Sequence, residues 1–155
     1  MKIIALQDIT TIRSGKKLVT TNGSFDVLHV GHLRILQEAK RQGDILLVLV
    51  NSDASVKLNK GVLRPIVPEI ERMEMLSGLA CVDYVLKFDE KEVLSLLEKI
   101  KPNVHVKGGT FLPERVATEK ALVESFGGKH ICLPEHIGYS TTNIIQRIQS
   151  LGDKQ

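Results

Sequence analysis

From Leu18 onward, short apolar runs alternate with amphipathic stretches. The runs are Leu18–Thr21, Ile45–Val50, Val82–Phe88, Val104–Lys107 and His130–Leu133. Short apolar runs of this kind suit buried strands of a parallel sheet. The intervening patterns are helical. His32, Ile35, Leu36 and Ala39 share one face of a first helix. A second begins near Pro68, a residue favoured in the first helical turn, with Ile70, Met73, Leu76 and Leu79 or Ala80 at core spacing. A third runs from about Glu90 to Ile100 and stops before Pro102, and a fourth spans Pro113 to Phe126 before Gly127-Gly128. The last places Ile144, Ile145, Ile148 and Leu151 on one face.

Strands linked by crossover helices predict an α/β fold. The expected form is a Rossmann-like, doubly wound, five-stranded parallel sheet with helices on both faces, in a single domain. Residues 1–17 read as an N-terminal extension with a short helix or strand, and residues 18–155 as the domain itself. The stretch Asn51–Val67, rich in Ser, Lys, Asn and Pro, reads as a long loop, and long loops in compact domains are often functional.

Composition narrows the class. The 155 residues, 43% hydrophobic and 25% charged, suffice for one ordinary core. A net charge of +3 without a basic run, and only 4% aromatics, point away from nucleic acid. No apolar run approaches the roughly 18 residues of a membrane span, and no signal-peptide pattern opens the chain. The expected location is cytoplasmic. Cys81 and Cys132 lack CxxC spacing, which predicts buried, reduced thiols.

The candidate chemistry begins where the first strand meets its helix, at Asn22-Gly23-Ser24-Phe25-Asp26-Val27-Leu28-His29-Val30-Gly31-His32. Ligands of open α/β sheets bind at such junctions. Two imidazoles there suit a phosphate, with Gly23 and Gly31 permitting close backbone approach. His32 alone would read first as a core histidine, and no third His or Cys stands at zinc-ligand spacing nearby. Ser140-Thr141-Thr142 precedes the last helix, where free N–H groups and the helix dipole favour an anion. One hydroxyl would suffice as a cap. Lys57, Lys60 and Arg64 lie in the polar stretch, as phosphate ligands or as solvated charge. Arg72 flanks a buried face near a helix N-terminus, where a cation is disfavoured without an anion nearby. Lys107-Gly108-Gly109 ends a strand and reads either as a turn or as a close approach to base or ribose. Neither a GxGxxG fingerprint nor a P-loop is present, which sets a redox Rossmann protein aside.

Together these residues resemble the nucleotidyltransferase superfamily with HxGH and STT signatures. Within it the chain is similar to the D-glycero-β-D-manno-heptose 1-phosphate adenylyltransferases of ADP-heptose synthesis. The matching stretches include Thr21-Asn22-Gly23, Phe25-Asp26, His29–His32, Asn51–Ser55, Lys57, Lys60-Gly61, Arg64-Pro65, Glu71-Arg72-Met73, Val106–Gly109 and Ser140–Ile145. The resemblance implies transfer of AMP from ATP to a sugar 1-phosphate, with Mg²⁺ accompanying the triphosphate. It implies catalytic roles for His29, His32, Lys57 and Arg72. Nucleotide contacts fall to Asn22, Gly23, Ser24, Phe25, Gly31, Lys107, Gly108, Gly109, Ser140, Thr141 and Thr142. Acceptor contacts fall to Asp26, Asn51, Asp53, Arg64 and Thr110. It implies small-molecule substrates and a homodimer, and no resident protein-bound metal. The chain resembles the form of the enzyme without a kinase domain.

Three departures bear on the acceptor and the base. Ser24 stands where the branch usually has Cys, and Thr110 where it has Asp. Glu135 stands where glycerol-phosphate cytidylyltransferases usually carry Arg. A glycerol-phosphate cytidylyltransferase or FAD synthetase is the nearest alternative, and a non-catalytic nucleotide-binding regulatory module is an alternative of another class.

Overall fold

The computed structural model describes residues 2–109, 112–134 and 138–152. Five parallel strands form one sheet: β1 (Leu18–Gly23), β2 (Ile45–Asn51), β3 (Tyr84–Phe88), β4 (Val104–Lys107) and β5 (Lys129–Cys132). Their order is β3-β2-β1-β4-β5, so the winding reverses between β1 and β4. That reversal opens a crevice beyond the strands' carboxyl ends. The doubly wound architecture matches the expectation from the apolar runs.

Alternation along each strand builds two cores. Leu47, Leu49, Leu86 and Phe88 face Leu96, Leu97 and Ile100 of α5 (Leu94–Ile100) and Val123 of α6 (Pro113–Ser125). Leu46, Val48, Val50, Val85 and Val106 face Leu36 and Ala39 of α2 (Val30–Lys40) and Leu76 of α4 (Glu69–Gly78). The N-terminal segment forms a short 3₁₀ turn, Leu6–Asp8, and α1 (Ile9–Arg13), and Ile3 bridges to Val85 beside β3. Ile9 of α1 joins the core.

Five expectations need correction. The polar stretch Asn51–Val67 contains a helix, α3 (Asp53–Lys60), capped by Ser52, whose Oγ accepts from the Ser55 N–H. α5 starts at Leu94 rather than Glu90, because α3 takes up the carbonyls before it. The Ser55 hydroxyl donates to Glu90 O at 2.6 Å, and Asn59 Nδ2 donates to Lys91 O at 2.9 Å. In α4, Ile70 is exposed and Arg72 points inward, two residues round the helix. Finally, α7 (Thr141–Gly152) leaves Ile148 and Leu151 exposed, and Cys132, the last residue of edge strand β5, is exposed rather than buried. No described helix is long and apolar enough to cross a membrane.

Candidate active site

The loop from β1 to α2 carries backbone strain. Phe25 and Val27 both have positive φ, 49° and 52°. A β-branched residue there costs about 1–3 kcal/mol and persists only if its surroundings impose it. Asp26, between them, is what holds the loop. Its buried carboxylate accepts from Arg64 Nε at 2.6 Å and from the N–H groups of Ile66 and Val67 at 3.0 and 2.9 Å. Its carbonyl accepts from the Thr141 hydroxyl at 2.7 Å. Burial alone would raise the Asp26 carboxyl. The N–H donors of Val67 and Ile66 and the Arg64 guanidinium outweigh it and hold the group below the usual range.

α2 opens on the two histidines. His29 is the N-cap, and its Nδ1 accepts from the Gly31 N–H at 3.1 Å. Nδ1 of His32 accepts from the His29 N–H at 3.4 Å, and the rings stack with centroids 3.8 Å apart. A ring nitrogen that accepts an N–H bond is unprotonated, so each neutral ring carries its proton on Nε2. Burial pushes both rings below their usual value. His32 falls to about 3, with the neighbouring His29 and Lys60 adding to the effect of burial. The pair is therefore two neutral Nε2–H donors at a helix start.

A cleft of about 870 Å³ lies beside them, at the large end of ordinary ligand sites. It is lined by Asn22, Gly23, Ser24, Phe25, His29, Gly31, His32, Asn51, Arg64, Lys107, Gly108, Gly109, Ser140, Thr141 and Thr142 among others. The topology brings together the ends of β1, β2 and β4 and the start of α7. Lys107 Nζ donates to Asn22 Oδ1 at 3.2 Å and to Glu119 Oε1 at 2.7 Å.

The glycines serve packing as well as approach. A Cβ on Gly31 would lie 2.9 Å from Tyr139 Cβ and 3.0 Å from the His29 ring. A Cβ on Gly108 would lie 2.5 Å from Ile35 Cγ2, on the helix that carries the histidines. Gly108→Ala should therefore cost about 1–3 kcal/mol through overpacking against α2, read as a lower urea midpoint at unchanged slope.

Four expected site residues lie elsewhere. Lys57 is exposed and does not line the cleft. The helical period of α3 turns Val56, Asn59 and Lys60 to the cleft instead, and Lys60 Nζ donates to Ser24 Oγ at 2.9 Å. Arg72 is fully buried, with its guanidinium spent on protein groups. Nε donates to Val67 O at 2.9 Å, Nη1 to Asn51 O at 2.9 Å and to Ser24 O, and Nη2 to Asp53 Oδ1 at 2.7 Å. The anion that its helix-start position demanded is thus Asp53. That pairing, together with the anchoring of the Arg64–Val67 segment by Asp26, keeps both carboxylates out of the cleft lining. Thr110 lies outside the described residues.

Further residues border the cleft without having been singled out, Tyr139 and Glu119 among them. Tyr139 packs on Gly31, with Arg34 stacked over its ring 4.9 Å from the centroid. Glu119 is buried on α6 four residues before core residue Val123, and a carboxylate on an apolar face was the available signal. Lys60, Arg64, Lys91, Lys107 and Arg115 also ring the cleft. Of its three carboxylates among the described residues, Glu119 is paired with Lys107, Glu92 lies 3.6 Å from Arg115 Nε, and Glu114 stands in the first turn of α6. Cations, hydroxyls and neutral N–H donors fit a triphosphate. A divalent ion would enter with the nucleotide as part of the substrate.

The profile of the cytidylyltransferase-like family matches residues 20–147. The chain belongs to the cytidylyltransferase-like family. This member is a nucleotidyltransferase. It is 48% identical over 146 residues to the bifunctional protein HldE of Syntrophotalea carbinolica, covering 93% of this chain and 30% of that protein. It is 52% identical over 136 residues to the HldE of Geotalea uraniireducens, covering 88% of this chain and 28% of that one. The chain thus spans less than a third of these relatives. Among solved structures, the lipopolysaccharide core biosynthesis protein of Thermoplasma volcanium is 30% identical with a TM-score of 0.67, over 79% of this chain and 99% of that chain. A pantoate-β-alanine ligase from Francisella tularensis, 19% identical with a TM-score of 0.65, shares the fold.

Proposed function

We propose that the cleft transfers AMP from ATP to a sugar 1-phosphate, with D-glycero-β-D-manno-heptose 1-phosphate as the acceptor that the sequence resemblance implies. A phosphate oxygen of the acceptor attacks the α-phosphorus, the bond to the β-phosphate bridging oxygen breaks, and pyrophosphate leaves with that electron pair. The attacking oxygen is anionic at neutral pH, so no general base is required. Catalysis reduces to aligning two anions and neutralising the charge that builds at the α-phosphorus and on the leaving group. The observation that carries this reading is the stacked His29–His32 pair, two neutral Nε2–H donors in the same cleft as the N-terminus of α7.

In this scheme His29 and His32 donate to the triphosphate and the pentacoordinate transition state. Ser140 and Thr142 with the start of α7 hold the leaving phosphates. Lys107, Gly108 and Gly109 line the base and ribose side. Asn51 and Arg64 face the acceptor. Lys60 takes the charge-balancing role first expected of Lys57, and Arg72 acts as a positioning residue. Lys60→Ala should lower kcat/KM by about 10-fold or more, the loss of one charge-assisted phosphate contact, whereas Lys57→Ala should stay within twofold of the parent. Equal losses in both variants would return Lys57 to the site.

The deciding experiment is a pyrophosphate-release panel of ATP, CTP and GTP against sugar 1-phosphates and polyol phosphates. Turnover with ATP and the heptose 1-phosphate above all other pairs supports the proposal. Preference for CTP with glycerol phosphate, or ATP binding without turnover of any acceptor, overturns it. The resemblance also implies a homodimer, and the exposed Ile148 and Leu151 on α7 offer apolar surface for one. Sedimentation velocity should give twice the chain mass, and a monomer at assay concentration would remove that part.

A further inference from the structure

Behind the Lys107 end of the cleft, three side chains converge from the last three elements before α7. His105 of β4 and His130 of β5 are register partners across the strand pair, and Glu119 of α6 lies over them. His105 Nε2 is 3.7 Å from Glu119 Oε2, and His130 Nε2 is 3.8 Å from the same oxygen. All three atoms lie within 4.8 Å of one another. The three side chains are 0%, 7% and 1% exposed. Among the described residues, none of these three atoms has a hydrogen-bond partner. Buried polar atoms are rarely left so, and three facing one another call for a shared partner.

The remaining polar atoms of the same side chains are engaged. Nδ1 of His105 pairs with the Thr20 hydroxyl at 2.8 Å. Oε1 of Glu119 accepts from Lys107 Nζ at 2.7 Å. Nδ1 of His130 lies 3.8 Å from Cys132 Sγ. This is the outer arrangement of metal-binding histidines and carboxylates: one atom fixed by a neighbour, the other turned to the ion. Two imidazole nitrogens and one carboxylate oxygen form a donor set suited to zinc-like ions rather than to Mg²⁺ or Ca²⁺, which prefer all-oxygen surroundings. Bonds of roughly 2.0–2.2 Å in tetrahedral array place ligand atoms roughly 3.3–3.6 Å apart, so the two histidine–carboxylate separations of 3.7 and 3.8 Å need contract only slightly.

We propose that His105 Nε2, His130 Nε2 and Glu119 Oε2 bind one divalent transition-metal ion, with water as the fourth ligand. β5 is paired only to β4, so an ion here clasps the edge strand and α6 to the sheet. The site is separate from the histidine pair of the cleft and stands independently of the acceptor assigned above.

The test is metal uptake by the whole chain, stripped with chelator and titrated with Zn²⁺ or Co²⁺ alone. The expected result is one equivalent per chain, a Co²⁺ visible spectrum of tetrahedral type, and a Tm that rises with Zn²⁺ and not with Mg²⁺. His130→Asn and His105→Asn, checked for folding by circular dichroism, should each lose the Co²⁺ spectrum, while Cys132→Ala and His32→Ala should keep it. Failure of the unmodified chain to take up either ion overturns the proposal whatever the variants do. Uptake that survives in both histidine variants, or that vanishes with Cys132→Ala, overturns the ligand set.

Discussion

Replacing Arg72 by methionine should destabilise the fold by about 2–4 kcal/mol, chiefly because carbonyls served by a fully buried guanidinium lose their donor, whereas Asp53 is about a third exposed and can turn to water. The side chain is fully buried, and its loss strands more than one group. Asp53 loses its counter-ion, and the carbonyls of Ser24, Asn51 and Val67 each lose a donor. Those carbonyls sit just beyond β1, at the end of β2 and at the end of the Arg64–Val67 segment, so one guanidinium ties together three margins of the cleft. Urea denaturation should show a lowered midpoint, and activity measured where the variant remains folded should also fall. Arg72→Lys separates the roles. A single ammonium cannot reproduce a planar fork that serves three carbonyls and a carboxylate. It should recover little stability, whereas a residue acting only as a positive charge toward the nucleotide would be largely rescued by lysine. Full stability of Arg72→Met with lost turnover would place Arg72 in direct contact with substrate and undo its assignment as a positioning residue.

The case of Arg72 shows where sequence reading stopped. Its position at a helix start demanded an anion, and the anion was taken to be a ligand. The true partner, Asp53, stands 19 residues away. Pairs that depend on tertiary proximity are invisible to spacing, and Asp26 with Arg64 fails for the same reason. The sheet was legible because Ile45–Val50 is apolar on both faces, a pattern that two-sided burial explains, and because shorter runs such as Leu18–Thr21 and Val104–Lys107 recur between helical patterns. α3 was not, because only Ser55 and Val56 of its eight residues are buried, and its stability comes from the Ser52 cap and from Asn59 and Ser55 bonding to the segment before α5. Reading Asn51–Val67 as a loop then sent Lys57, rather than Lys60, toward the cleft. The histidine pair, the Lys107-Gly108-Gly109 turn and Ser140-Thr141-Thr142 were legible because each lies at a strand end or a helix start, and the topology gathers such positions beyond the carboxyl ends of the strands.

His32→Ala should lower kcat by about 100- to 1,000-fold with a small change in KM, the loss typical of one preorganised donor to developing negative charge. The ring stacks on His29 and lies 5.4 Å from the Phe25 ring, so some stability is lost as well, and circular dichroism must show the variant folded before its rate is read. His32→Asn places an amide donor on a shorter side chain and should recover part of the rate. A structural role alone would recover stability without rate. The pH dependence gives an independent check. Burial, with His29 and Lys60 adding to it, holds His32 near 3, so in the free protein the ring stays neutral from pH 8 down to 5. Its ring resonances should not shift over that range. The sign for stability follows from the same depression. The unfolded ring binds a proton near pH 6.5 and the folded ring does not, so the contribution is fully present above pH 6.5. It falls as pH drops toward 3, by up to about 1.4 kcal/mol per pH unit. The His32 ring titrating near 6.5 in the folded protein, or His32→Ala turning over at the parent rate, would show that the pair does not act as neutral donors and would remove the observation on which the proposed reaction rests.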